Sequence, residues 1–315
     1  MAETMPCDLI GDLHGCGRTL KALLERLGYV ENEGVHRHPS RTAIFLGDFI
    51  DRGPGQREVI ETVRPMVESG AALAVMGNHE FNALAWATPD PDAPGYLRAH
   101  SDKNERQHRA FLDAYPPDGA DYADVLAWFR TLPLWLDLEG IRVVHACWDP
   151  DAISLLAAWM GPDHRLTDEL LVRACDSGSA EFEAVETLIK GKEVELPEGA
   201  SFRDKEGTDR HRIRIRWWDT DATTHREAFF GPESALTHIP EDPIGREHLI
   251  TYSHAEKPCF LGHYWLEGKP EPLAPNIACL DYSVTKADGK LAAYRWDGEA
   301  VLDAAKFVTV PQIDS

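Results

Sequence analysis

Thr42–Gly53 reads TAIFLGDFIDRG, and the change of character inside this stretch governs the reading of the whole chain. Ala43–Leu46 is a short unbroken apolar run with β-branched and aromatic members, the pattern of a buried strand. The Gly47-Asp48 step then signals an abrupt turn, and Asp48, Asp51 and Arg52 follow at once. Three other stretches share the arrangement. Cys7–Ile10 runs into GDLHG at Gly11–Gly15, Ala71–Met76 into GNHE at Gly77–Glu80, and Ile141–Val144 into His145. Open α/β sheets place their chemistry in loops at the carboxyl ends of strands, so these endings predict one shared site.

Helical periodicity fills the gaps between the strands. Arg18–Leu27 carries Leu20, Leu23, Leu24 and Leu27 along one face, and Pro54–Ser69 carries Val59, Ile60, Val63 and Val67. The β-α-β-α-β order up to Met76 predicts a largely parallel core with helices outside. His79–Ala87 reads as the start of a helix. Residues 88–124, rich in proline, aspartate and charge, read as an insertion or lid anchored by Phe111, Leu112 and Tyr115. Tyr122–Arg130 reads as a helix, and Pro133–Leu138 with Ile141–Val144 as a pair of strands. Within HRIRIRWWD, residues 211–219, alternation turns Ile213, Ile215 and Trp217 inward and Arg212, Arg214 and Arg216 the other way. Ala255–Gly262 reads as a strand that ends in GHYW, with Ile277–Tyr282 and Leu291–Trp296 as an antiparallel edge or a second sheet. The expected organisation is a single catalytic domain over 1–315 with insertions near 88–124 and 161–211.

Thirty-two Lys and Arg against 53 Asp and Glu give a formal charge of −21, a field that repels nucleic-acid backbones and anionic membranes. No stable nucleic-acid complex and no membrane partner are expected, and no apolar run approaches spanning length. Cys7, Cys16, Cys147, Cys175, Cys259 and Cys279 are widely scattered and no secretory signal opens the chain, which favours reduced thiols in a cytoplasmic protein.

The candidate ligands are Asp12, His14, Asp48, Asn78, His145 and His263, with His254 a nearby competitor for the last. Carboxylate and imidazole together suit divalent first-row metals. Their number implies two adjacent divalent metal ions bridged by Asp48. Manganese is the first choice, and iron, zinc, nickel and cobalt stay open. Neither a GxxxxGKS/T loop nor GxGxxG is present, so nucleotide binding by those devices is unsupported. Trp217, Trp218, Tyr264 and Trp265 suit the core better than a base-stacking platform.

GDLHG, GDFIDRG at 47–53, GNHE, VHA at 144–146 and GH at 262–263 resemble the ordered signature of the phosphoprotein-phosphatase-like branch of the calcineurin-type metallophosphoesterases. VHA followed by cysteine, GHYW, and CLDYSVTKADGKLAAYRW at 279–296 are similar to the bacterial symmetrical diadenosine tetraphosphatases. The resemblance covers residues 5–150 and 210–297. It implies an α/β, layered metallophosphoesterase fold with a mixed β-sandwich core flanked by helices. It also implies that Asp12 and His14 hold one metal, that Asp48 bridges, and that Asn78, His145 and His263 hold the other. His79 becomes the general acid, Asp51 its orienting partner and Arg52 a phosphate clamp. Arg216 is the favoured second clamp, with Arg226, Arg212 and Arg214 as competitors.

The implied activity is dimetal-dependent hydrolysis of phosphate monoesters or phosphoanhydrides in a phosphorylated small molecule, nucleotide or phosphoprotein. Two cations roughly 3.5–4 Å apart can activate a water and neutralise phosphoryl oxygens. An imidazolium can protonate the leaving oxygen, and an arginine fork matches two phosphoryl oxygens. Three narrower readings stay open: a serine/threonine or tyrosine protein phosphatase, a symmetrical dinucleoside polyphosphate hydrolase, and a catalytically inactive metal-dependent binding module.

Overall fold

Strand β1 (Cys7–Ile10) is followed by helix α1 (Gly17–Leu27), a small hairpin of β2 (Val30–Asn32) and β3 (Val35–Arg37), then β4 (Thr42–Phe45). Helix α2 (Gln56–Glu68), β5 (Ala72–Ala74) and α3 (Asn78–Ala87) complete the first half of the sequence pattern. These elements belong to a computed structural model that describes residues 5–203 and 208–314. The ends of the expected 1–315 domain, residues 1–4 and 315, and the 204–207 part of the expected 161–211 insertion lie outside the described residues. Helices α4 (Asp102–Ala114) and α5 (Ala120–Phe129) precede the hairpin of β6 (Trp135–Asp137) and β7 (Arg142–Val144). Helices α6 (Pro150–Ala157), α7 (Asp168–Arg173) and α8 (Ala180–Lys190) lead to four short strands, β8 (Glu193–Glu195), β9 (Phe202–Arg203), β10 (Asp209–Arg210) and β11 (Arg212–Arg214). The chain ends in β12 (Cys259–Leu261), β13 (Ile277–Cys279), β14 (Asp281–Tyr282), β15 (Lys290–Trp296) and β16 (Phe307–Pro311).

Two mixed sheets form the centre. One runs β14-β15-β1-β4-β5 with β16 also on β15, and β1, β4 and β5 are parallel. The other runs β13-β12-β7-β6, parallel except for the β6–β7 hairpin. The alternation of each strand explains why they stack. Leu9, Ile44, Val143, Phe260, Tyr294 and Trp296 form one buried apolar cluster that draws on both sheets. Their neighbours Ile10, Ala43 and Phe45 join the larger cluster that includes Leu23, Val59 and Val63 of α1 and α2. Each fully buried Leu, Ile or Phe contributes about 1.5–3 kcal/mol relative to exposure, so this two-sided burial is what commits the strands to a layered α/β fold. The architecture is the expected α/β one, a mixed β-sheet core between helices.

Several boundaries differ for physical reasons. Ile277–Tyr282 is not one strand, since β13 pairs with β12 in one sheet while β14 pairs with β15 in the other. Nor is Leu291–Trp296 an edge, because it pairs with β1, β14 and β16. Regular pairing in the arginine-rich segment is confined to Arg212–Arg214 against Glu193–Glu195, although Ile213, Ile215 and Trp217 are buried as the alternation requires. The 88–124 stretch contains the thirteen-residue helix α4, whose Ser101 cap accepts the Asn104 N–H. All six cysteines carry free thiols, and no helix among the described residues is long and apolar enough to cross a membrane.

Candidate metal centre

Each candidate ligand sits just past the carboxyl end of a strand, and the loops are tied together before any ion is considered. Leu13 and His14 N–H both donate to the Asp48 carbonyl, at 3.0 and 2.8 Å, joining the loops after β1 and β4. Buried Glu80 at the start of α3 accepts from the N–H groups of Asp48, Phe49 and Gly77 at 2.8–3.0 Å. The backbones approach so closely at Gly47, φ +92°, that a Cβ there would lie 2.5 Å from the Gly77 nitrogen. A Cβ at Gly262 would lie 1.9 Å from Asp12 Oδ1. Only glycine fits at these two contacts.

The side chains then converge on one buried cluster. Ligand atoms of His14, Asp48 and His79 lie within 4.8 Å of one another, and so do those of Asp48, His145 and His263. Asp48 belongs to both groups. His14 Nε2 is 3.7 Å and His145 Nε2 3.4 Å from Asp48 Oδ2. Asn78 Oδ1 lies 3.1 Å from His145 Nε2 and 2.8 Å from His263 Nδ1. Asp12 joins through Oδ2, which accepts the His263 N–H at 3.0 Å. His254 is exposed and makes none of the cluster's hydrogen bonds, whereas His263 lies within the cluster.

This cluster fits two cations. His145 Nδ1 donates to the Leu46 carbonyl at 2.6 Å and His14 Nδ1 to the Ile50 carbonyl at 3.2 Å, which turns the Nε2 of each ring toward Asp48, where a cation would take the place of the proton that Asp48 holds on His145. Such backbone acceptors fix the tautomer a metal ligand needs. Asp12 Oδ1 and His14 Nε2 are buried without a hydrogen-bond partner, a state that normally marks a missing bonded atom. Carboxylate, amide oxygen and imidazole without thiolate suit a first-row divalent ion.

Protonation follows the crowding. Burial, then the charge of Asp281, pushes the Asp12 carboxyl well above the usual carboxylate range. Burial raises Asp48 as well, but His145 and His79 outweigh it and hold that carboxyl well below its ordinary value. Burial and the neighbouring His79 charge lower His14 to about 3, so its ring is neutral and able to ligate. Burial, then Arg214, likewise keeps His263 well below 6.5.

Beside the cluster, His79 Nδ1 donates to Asp51 Oδ2 at 2.5 Å while its Nε2 lies 3.9 Å from Asp48. Burial opposes a charged His79 ring, but Asp48 and the Asp51 hydrogen bond prevail and raise its pKa. Arg52 lies over the Trp265 ring at 3.9 Å. Arg216 does not face the cluster. It donates to the Glu227 carbonyl and lies 3.9 Å from Asp219, whereas Arg214 is the arginine whose charge acts on His263. Arg226 is held by the Ile239 carbonyl and Glu241, and Arg212 by Glu183.

Three residues carried no role in the sequence. Glu80 lies inside GNHE but its carboxylate serves the backbone of three loop residues. Asp281 accepts from Trp265 and Ser283 N–H, fixing the loop after His263, and its only sequence signal is a carboxylate amid the apolar Ala278–Tyr282 run. His108 of α4 donates to Asp51 Oδ1 at 2.9 Å, so Asp51 lies between two imidazoles. Together they outweigh burial and lower Asp51 to about 2. The spacing His108, Phe111, Leu112, Tyr115 is that of one helix face, a signal for the helix and not for the partner of His108. If the sequence-based expectation of phosphate-ester hydrolysis with His79 as the acid holds, replacing His108 with Ala should slow turnover of esters with poor leaving groups roughly tenfold, the scale of one charge-assisted hydrogen bond. His108→Asn keeps a donor near Nδ1 and should restore most of that rate. The check is kcat against leaving-group pKa for both variants, alongside their melting temperatures.

The calcineurin-like phosphoesterase family model matches residues 5–257, and the chain belongs to that family. A symmetrical bis(5'-nucleosyl)-tetraphosphatase of Aromatoleum aromaticum is 27% identical over 305 residues, covering 93% of this chain and 94% of that protein. An asymmetrical bis(5'-nucleosyl)-tetraphosphatase of Geobacillus thermodenitrificans is 46% identical, but over 76 residues, 24% of this chain and 31% of that protein's length. The chain is thus related to bacterial enzymes of the diadenosine-tetraphosphatase kind. A protein serine/threonine phosphatase from Saccharomyces cerevisiae superposes with a TM-score of 0.50 at 15% identity, over 98% of this chain and 80% of that one, which speaks for the shared fold alone.

Proposed function

We propose that this chain is a two-metal hydrolase of phosphate monoesters or phosphoanhydrides. The observation that carries the reading is a pair of ligand groups sharing Asp48, one of which includes His79 with its ring hydrogen-bonded to Asp51. A purely binding module has no use for such a proton donor. In this reading Asp12 and His14 hold one divalent ion, Asn78, His145 and His263 the other, and Asp48 both, with manganese the first candidate. When bound, such a pair supplies a Lewis-acid charge and a nucleophile at neutral pH. The chain's own groups do the rest. Arg52, stiffened by its stack on Trp265, orients the phosphoryl group, and His79, charged and aligned by Asp51, gives its proton to the departing oxygen.

Arg214 replaces Arg216 as the second clamp in this proposal, because its charge acts on His263 and its nearest carboxylate, Glu193, is 3.8 Å away, whereas Arg216 is held by the Glu227 carbonyl. Arg214→Ala should raise KM for a phosphate ester at least about tenfold, while Arg216→Ala stays within about twofold. The 27% identity along nearly the full length supports a symmetrical dinucleoside polyphosphate hydrolase within this class. Six free thiols support a cytoplasmic setting, and we take the chain as one catalytic domain whose insertions shape the cleft.

The test is a panel run with the manganese-loaded protein: p-nitrophenyl phosphate, phosphoserine and phosphotyrosine peptides, and diadenosine tetraphosphate. Conversion of the last into two identical nucleotides supports symmetrical cleavage. Two different nucleotides refute it, and turnover of phosphopeptides alone makes the protein a phosphatase of that class. No turnover of any substrate by protein with a full metal complement rejects the hydrolase.

A further inference from the structure

A cleft of about 640 Å³ opens beside the metal centre. Asn78, His79 and Arg52 line it on the side of the centre, and Arg98, Arg106, Arg109 and Lys190 line the rest. Asp113 is the one carboxylate in its lining among the described residues. A chain with 53 acidic and 32 basic residues thus gathers five cations around one opening. Two are already balanced, since Arg109 pairs with Glu105 and Lys190 with Glu186.

The other three are not. Half-buried Arg98 is held by the amide oxygens of Asn82 at 2.8 Å and of Asn104 and Gln107 at 3.1 Å. These acceptors orient its guanidinium without cancelling its charge, and no carboxylate among the described residues forms an ion pair with it. Arg106 is exposed and has no hydrogen-bond or ion-pair partner among the described residues. Arg52 rests on an aromatic ring. Holding guanidinium groups in place without an anion is costly unless one arrives, and this is the arrangement that recognises phosphate.

Building on the hydrolase reading, we propose that this cleft is a second anion subsite that takes a phosphate joined by an anhydride bond to the one being cleaved. The position of His79 fixes which phosphate. His79 lines the cleft and protonates the leaving oxygen, so the group that departs into the cleft is itself a phosphate. The oxygen of water bonds to the scissile phosphorus and sheds one proton to solvent, the bridging P–O bond breaks, and the departing phosphate takes the His79 proton, which solvent then restores, while Arg98 and Arg106 hold its remaining oxygens. A phosphopeptide leaves as a neutral hydroxyl and has nothing for these arginines to bind. The shared chemistry is a phosphoanhydride chain, whether inorganic or nucleotide-capped.

The test uses full-length, manganese-loaded enzyme with tripolyphosphate, diadenosine tetraphosphate, a phosphoserine peptide and p-nitrophenyl phosphate. Arg106→Glu should lower kcat/KM for the phosphoanhydrides, relative to p-nitrophenyl phosphate, by about tenfold or more. Arg98→Gln should do the same. Because Arg98 also braces α4, the Arg106 variant decides the matter if Arg98→Gln melts early. Calorimetry should show tripolyphosphate binding more tightly than orthophosphate, with the difference lost in Arg106→Glu. Loss for tripolyphosphate and diadenosine tetraphosphate alike supports a subsite that reads the phosphates alone, and loss for diadenosine tetraphosphate only supports one that needs the nucleotide caps. An unchanged ratio in Arg106→Glu, or an equal loss on the phosphopeptide, overturns the subsite. If the wild-type enzyme turns over none of the substrates, the hydrolase reading fails, and the calorimetric comparison alone decides whether the subsite stands.

Discussion

Asp48→Asn is expected to empty the metal centre and stop turnover while leaving the fold in place. The carboxylate is the one side chain common to both ligand groups, so its charge is lost to both cations at once. Losing an outer-shell partner alone costs about 10–100-fold in metal affinity, so removing the shared carboxylate should cost at least about 100-fold. The fold should survive because Asn keeps an oxygen where Asp48 Oδ1 accepts the His79 N–H at 3.0 Å, and because Glu80 holds the Asp48 backbone independently. Metal content after dialysis, kcat/KM and the melting curve together check the prediction. A variant that keeps two metals and most of its activity would remove the basis for a bridging role.

His79→Asn should leave metal content intact and slow turnover of esters with poor leaving groups by about 10²–10⁴-fold, the usual yield of a positioned general acid. Esters of good leaving groups should be affected far less. His79 also lies within ligand distance of His14 and Asp48, so loss of metal in this variant would make it a ligand rather than an acid. The pH profile separates the roles further. Asp48 and Asp51 raise the His79 pKa above its ordinary value despite its burial, which extends the protonated acid toward higher pH. Wild-type activity on poor leaving groups should fall as pH rises through that raised value, and the variant should lack this alkaline limb.

The parts of the site legible in the sequence are those where chemistry and fold use the same residues. GDLHG, GDFIDRG and GNHE each end a strand whose apolar run is unmistakable, and the loops they mark carry Asp12, Asp48, Asn78 and His79 into one cluster. His145 and His263 followed from the same logic on the second sheet. What escaped was set by tertiary contact. Arg212, Arg214 and Arg216 share a face by alternation, and only the packing of β11 on β8 and the turn beyond it decides that the charge of Arg214 is felt at His263 while Arg216 turns to Glu227. Helix α4 was hidden because most of its surface is charged, so His108 and Arg98 could be linked to the site only once the chain had folded back over Asp51 and Asn82.

Six of the nine non-glycine residues with positive φ among the described residues are His14, Asp48, Asp51, Arg52, His263 and Trp265. An ordinary side chain in that conformation is strained by about 1–3 kcal/mol. The residue that would relax such a position is glycine, which at the first five would delete the very group on which the proposed chemistry depends. Natural drift and laboratory selection for heat resistance therefore meet a closed door in these loops. Hardier variants of this protein should carry their changes in the helices and the sheet interior, with the strand-end loops left as they are.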